Sequence, residues 1–164
     1  MANQRRVAII VDSAASLPSN ADHLSGLDLV PMRLVLEGRT YSDGEDLTPS
    51  DFYRMLRASS DIATTSAPSP AAFLEGFHRA SEHADAILCL TVAARFSASF
   101  DSAMSAAREA INTMPNIEVT VLDSGTAAGG EGLVALEAWR AAGDGQNLAQ
   151  VKAAAEYVIS RVRL

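Results

Sequence analysis

The sequence predicts an α/β fold, a three-layer sandwich built on a mostly parallel sheet. Three observations carry that expectation. Short β-branched runs stop abruptly at polar residues, the stretches between them place apolar residues at helical spacing, and the two kinds of segment alternate along the chain. A run that is apolar at every position, rather than every second one, reads as a strand covered on both faces, as parallel strands are.

The first such run is 7–11, which ends at Asp12 and Ser13. Leu17, Pro18 and Ser19 then allow a short helix. The stretch from Leu27 to Leu36 is strand-like but interrupted by Pro31, which argues for an edge position or a bend. Glu37, Gly38 and Arg39 can turn, so that Thr40 and Tyr41 pair back as a hairpin. A helix should start at Pro49, with Thr48 as its cap and Asp51 complementing its dipole, and carry Phe52, Met55 and Leu56 on one face. Residues 64–70 form a loop rich in hydroxyls and prolines, leading into an amphipathic helix with Phe73, Leu74 and Phe77. A third buried strand spans 86–92. The small-residue loop 93–99 feeds a helix with Ala103, Ala106, Ala107 and Ile111. A further strand at 117–122 ends in Asp123, Ser124 and Gly125, a helix runs from about Gly129 to Ala142, and a last helix covers 148–162. No repeat or linker interrupts this order, so one domain over 1–164 is expected.

Composition narrows the function. With 48% apolar and 20% charged residues, 164 residues suffice for one real core. A net charge of −7 repels phosphate backbones, and Arg5, Arg6, Arg161 and Arg163 are terminal flanks rather than a basic patch, which argues against nucleic acid. The single cysteine, Cys89, excludes an internal disulfide and sits in an apolar run, where it reads as a buried small residue. The start does not resemble a signal peptide and no apolar stretch approaches membrane-spanning length, so a cytoplasmic protein without a membrane span is expected.

Four loops share a property. Asp12 and Ser13, Thr65 and Ser66, Ser97 to Ser99, and Asp123 and Ser124 all fall just past a strand or just before a helix. In an open parallel sheet the strand carboxyl ends lie along one edge, where ligands bind. Helix N-termini reaching that edge present free N–H groups, so an acidic protein can still hold an anion with uncharged donors. Taken singly, each of these residues is also an ordinary helix cap. The pattern alone indicates a polar-ligand site.

The same residues carry a family resemblance. Val11, Asp12 and Ser13 with Leu17 and Pro18, Val30 and Pro31, the Tyr41–Gly44 segment, Phe52 and Tyr53, and above all Thr65-Ser66-Ala67-Pro68-Ser69 match the order and spacing of the DegV family. Residues 97–103 match a later loop of that family loosely, and Asp123 and Ser124 precede its glycine-rich helix start. The chain therefore resembles the N-terminal domain of a bacterial DegV-family protein. That resemblance implies a binding protein rather than an enzyme. It implies a long-chain fatty acid as ligand and no further cofactor, with the carboxylate held by hydroxyl and backbone donors and the tail in an apolar tunnel. It also implies presentation of that carboxylate to a separate ATP-binding fatty acid kinase subunit. Carried over by motif, Thr65 and Ser66 would hold the headgroup, with Ser97 and the backbone at Ala98 opposite; Asp12, Ser13, Ser99, Asp123 and Ser124 would support the loops.

Two departures matter. The family has Ser-Gly-Thr where this chain has Ser97, Ala98 and Ser99, and a serine pair where it has Ala93 and Ala94; alanine resists backbone conformations that glycine allows. The family's second domain, which completes the site, is expected to be absent from 1–164, and the apolar face it would cover invites a dimer.

Other features weigh less. His23, His78 and His83 form no metal-ligand spacing, and Asp43, Glu45 and Asp46 read as a solvated acidic turn without calcium-loop spacing. No Gly-x-Ser-x-Gly occurs, and Gly129, Gly130 and Gly132 lack the order of a nucleotide loop. Two alternatives stay open: a phosphotransfer-type α/β domain, which would need a histidine at the sheet edge, and an interaction domain with no ligand.

Overall fold

The structure, a computed structural model, describes residues 6–18 and 24–163. Its centre is a four-stranded parallel sheet, β1 (Val7–Asp12), β2 (Leu27–Val30), β6 (Ala86–Thr91) and β7 (Glu118–Asp123), in the order β2-β1-β6-β7. Every residue of β1 and β6 is buried, because alternate side chains feed two different cores. On one face Val7, Ile9, Val11, Leu88 and Leu90 meet α4 (Gly129–Gly143) and α5 (Leu148–Ile159) through Val134, Ala135, Ala138, Val151 and Ala155. On the other, Ala8, Ile10, Ile87 and Cys89 meet α2 (Pro70–Ser81) and α3 (Ser99–Thr113) through Phe73, Phe77, Ala80, Ala103, Ala106 and Ala110. Helix, sheet and helix make the three layers. The alanines let the helix backbones approach closely, and the phenylalanines fill the remaining volume.

A second sheet stands apart from the first. It is antiparallel, in the order β4-β3-β5, from β3 (Arg33–Leu36), β4 (Arg39–Ser42) and β5 (Thr64–Ser66). Glu37 and Gly38, at φ 51° and 71°, form the two-residue hairpin turn between β3 and β4. α1 (Pro49–Ala58) follows, with the Thr48 hydroxyl accepting from the Asp51 N–H at 3.1 Å; Phe52, Met55 and Leu56 are half-buried, and no residue of α1 is fully buried.

Four details differ from the sequence reading. The 27–36 run is two strands in different sheets, because Pro31 and Met32 carry the chain from one to the other. The 64–70 loop begins with β5, whose threonines suit a pleated edge once β3 is beside them. Residues 15–18 are not helical, and the rest of the short helix expected there lies outside the described residues. The last helix stops at Ile159. Cys89 is 0% exposed, and burial, with the nearby carboxyls of Asp12 and Glu131, pushes its thiol well above the ordinary range. No helix among the described residues is long and apolar enough to cross a membrane.

Candidate functional site

The strand carboxyl ends of the parallel sheet are tied together by Asp12, which is 0% exposed. Its Oδ1 accepts the Ala14 N–H at 3.1 Å and its Oδ2 accepts the Val92 N–H at 3.0 Å. The Ser99 hydroxyl is a further partner. One carboxylate thus joins the loop after β1, the loop after β6 and the head of α3. Asp123 does the same for the outer loops, accepting from Gly125 N–H at 2.8 Å and Ala94 N–H at 3.2 Å. Ser124 is buried and turned inward, donating to the Thr126 carbonyl and accepting its N–H, both at 3.3 Å.

Ser13 links the two sheets. Its N–H donates to Val30 O at 3.0 Å, its hydroxyl donates to Asp43 at 2.7 Å, and its oxygen accepts the Met32 N–H at 2.9 Å. The acidic turn is therefore not merely solvated: Asp43 holds Ser13, and Asp46 accepts the Ser42 N–H at 2.6 Å.

The loop before α3 reaches Met32 through Ser99. Ser97 and Ser99 hydroxyls lie 3.0 Å apart, the Ser99 N–H donates to Ser97 Oγ at 3.2 Å, and the Ser99 hydroxyl reaches Met32 Sδ at 3.7 Å. Ser66 pairs with Arg33, the next residue after Met32, and Thr65 pairs with Leu34. Thr65 and Ser66 are exposed and Ser97 is half-buried. Ala98 is the exposed residue before α3 and offers no side-chain cap; the Ser99 N–H is taken by Ser97, and the helix N-terminus still favours an anion. The nine residues singled out from the sequence thus divide. Asp12, Ser13, Asp123, Ser124, Ser97 and Ser99 spend polar atoms on the protein, whereas Thr65, Ser66 and Ala98 are exposed.

Glu131 was not singled out, and it lies at the heart of the same edge. It sits in the first turn of α4, 0% exposed, and neither carboxyl oxygen meets an N–H or hydroxyl donor. Burial, then the charge and proximity of Asp12, then the charge of Asp123, push its carboxyl up to about 9. Burial also raises Asp12, against the Val92 and Ala14 N–H groups, Ser99 and Glu131, which all favour its ionised form. Glu131 keeps its proton at neutral pH and Asp12 is the natural acceptor for it. An acid in the first helical turn ordinarily signals dipole complementarity, so no local pattern could have marked it as buried.

Two cavities lie elsewhere. One, about 800 Å³, opens at the amino ends of the strands among Arg6, Leu24, Asp28, His83 and Trp139. The other, about 290 Å³, lies between α3 and β7 around Met104, Ile111 and Val119. Neither is lined by Thr65, Ser66 or Ser97. His78 and His83 are exposed, and His23 lies outside the described residues. No group of three or more His, Cys, Asp or Glu side chains able to hold a metal occurs among the described residues.

Comparison with known proteins gives one family. Residues 6–164 match the model of an uncharacterised protein, DegV family. DegV domain-containing proteins of Deinococcus radiodurans and Streptomyces coelicolor are 34% and 35% identical over 160 and 153 residues, which is 96% and 93% of this chain but 54% and 52% of theirs. Among solved structures, a DegV family protein from Thermus thermophilus described as binding fatty acid is similar at 33% identity. Its TM-score is 0.81, over 94% of this chain and 54% of its own. A DegV lipid binding protein from Thermotoga maritima is similar at 28% identity and TM-score 0.81, over 95% and 55%. The chain spans about half the length of the relatives it matches. On the strength of a match that runs from Arg6 to the last residue, this chain belongs to the DegV family.

Proposed function

We propose that this chain binds a long-chain fatty acid by its carboxylate at the carboxyl edge of the parallel sheet, between Thr65 and Ser66 on one side and Ser97 and the backbone at Ala98 on the other. The observation that carries this is the exposure of Thr65 and Ser66 on β5, where Ser66 pairs with Arg33, next to Met32, while Ser99, in the loop that carries Ser97, touches Met32. Such a cradle suits a single negative charge, since it offers directed hydrogen bonds. Fatty acid binding by the Thermus thermophilus relative and lipid binding by the Thermotoga maritima one support the same ligand class.

The affinity would come from the tail, at about 0.8 kcal/mol for each methylene buried, and the donors would fix which end faces out. Neither of these two cavities is lined by the proposed headgroup residues. An exposed headgroup suits delivery to an ATP-binding kinase subunit in the cytoplasm; the chain itself would bind and present rather than catalyse.

Titration of the purified chain with palmitate, followed by native mass spectrometry, is the test. One palmitate per chain is expected, and about tenfold or greater weakening in the double variant Thr65→Ala, Ser66→Ala, from loss of two donors each worth about 1 kcal/mol. A folded chain that takes up no acyl chain, alone or joined to the second half of a relative, ends this reading.

A further inference from the structure

Glu131 has no task in the lipid reading, yet the fold goes to some length to place it. A Cβ added at Gly130 would collide with Thr126 Oγ1 and lie 3.0 Å from Val162 Cγ1; one added at Gly132 would lie 3.0 Å from the Ser16 carbonyl oxygen. Glycine on both sides thus lets the first turn of α4 press against the loop after β7 and the loop after β1. Glu131, between them, is turned wholly inside.

The group within its reach is the Asp12 carboxyl, while both of its own oxygens lack any N–H or hydroxyl donor. Two carboxylates buried against each other cannot both be ionised. The ionisable groups facing Glu131 are Asp12 on β1 and Asp123 on β7, with the Cys89 thiol on β6 also sensing both acids. No cation appears among them to neutralise a second charge. A protonated Glu131, by contrast, donates its O–H to Asp12 and leaves Asp12 free to accept from Ala14, Val92 and Ser99.

We propose that Glu131 is a positioning residue of the binding edge: it holds a proton against the Asp12 carboxylate, and this acid pair fixes the loops that present Ser97 and Ser99. The consequence for binding rests on the lipid reading; the acid pair itself does not. The sign of its pH dependence follows. Folding raises the Glu131 carboxyl above its ordinary value, to about 9, so the folded chain binds a proton that the unfolded chain has released. Stability therefore falls as pH climbs from the ordinary glutamate range to about 9, and this contribution is gone above that.

The experiment compares wild type, Glu131→Gln and Glu131→Ala. Isotope-edited infrared spectra at neutral pH should show a protonated-carboxyl carbonyl band that Glu131→Gln removes. Thermal melts between neutral pH and pH 10 should fall in wild type and flatten in Glu131→Gln. For palmitate at neutral pH, Glu131→Ala should bind about tenfold more weakly, the equivalent of one lost charge-assisted contact, and Glu131→Gln should restore it. A missing band, or a pH slope that survives in Glu131→Gln, overturns the acid pair even if palmitate binds normally. If band and slope behave as stated but wild type takes no palmitate, the lipid reading falls and the acid pair stands. Should Glu131→Ala fail to fold, the infrared and pH comparisons with Glu131→Gln still decide.

Discussion

In the four-stranded sheet β1 and β6 are buried at every residue and helices cover both faces, whereas in the three-stranded sheet β5 is exposed at every residue and β4 buries only Ser42. Both sheets contribute polar groups to the same edge. The large sheet contributes carboxylates and serines whose hydrogen bonds are consumed in holding loops. The small sheet contributes Thr65 and Ser66, which are exposed and pair with β3. Buried hydrogen-bonded loops and exposed hydroxyls are thus divided between two regions, joined through Ser13, Met32 and Asp43. The scaffold side should respond to mutation with stability and the contact side with affinity.

That division can be broken at four points, in decreasing order of effect on folding. Phe77→Ala removes one of the largest fully buried side chains between α2 and the sheet; it should cost about 3–5 kcal/mol in chemical denaturation. Gly130→Ala forces a methyl group onto Thr126 and should cost about 1–3 kcal/mol, measured the same way. Asn147→Ala removes the side-chain half of the capping box at the head of α5, the acceptor of the Gln150 N–H, and leaves the backbone N–H that donates to Gln150; a loss of about 1 kcal/mol of stability is expected, read as a lower melting temperature. The double variant Thr65→Ala, Ser66→Ala should move stability by no more than about 0.5 kcal/mol, as exposed positions do, while palmitate binding drops. A large stability loss from that last pair would show that the small sheet is scaffold after all and would collapse the contrast.

The large sheet was readable because its signal is local. Residues 7–11 and 86–90 are apolar without a break, and the stops at Asp12 and Asp123 fall where the strands end. The Thr48 cap was equally legible and accepts from the first turn of α1; Ser69 and Asn147, not singled out, cap α2 and α5 in the same way. The small sheet was only half legible. The β3–β4 hairpin announces itself in Glu37 and Gly38, but β5 exists only because residues about thirty positions earlier pair with it, and a hydroxyl-rich segment between prolines carries no periodicity that could reveal this.

At the carboxyl edge of the large sheet, Asp12 and the loop hydroxyls were singled out by their position after strands and before helices, which is a local signal. Glu131 escaped because its burial depends on Gly130 and Gly132 touching segments distant in sequence. A glycine pair around an acid at a helix start says that the backbone approaches something; it does not say that a carboxyl is the cargo. The family resemblance pointed to the ligand class but was equally silent on Glu131.

Cys89 offers a use for this architecture. Sealed in the middle strand and held as a neutral thiol by burial and two neighbouring acids, it is hidden from alkylating reagents for as long as that strand keeps its neighbours. Its labelling rate would therefore act as a clock for excursions of the large sheet.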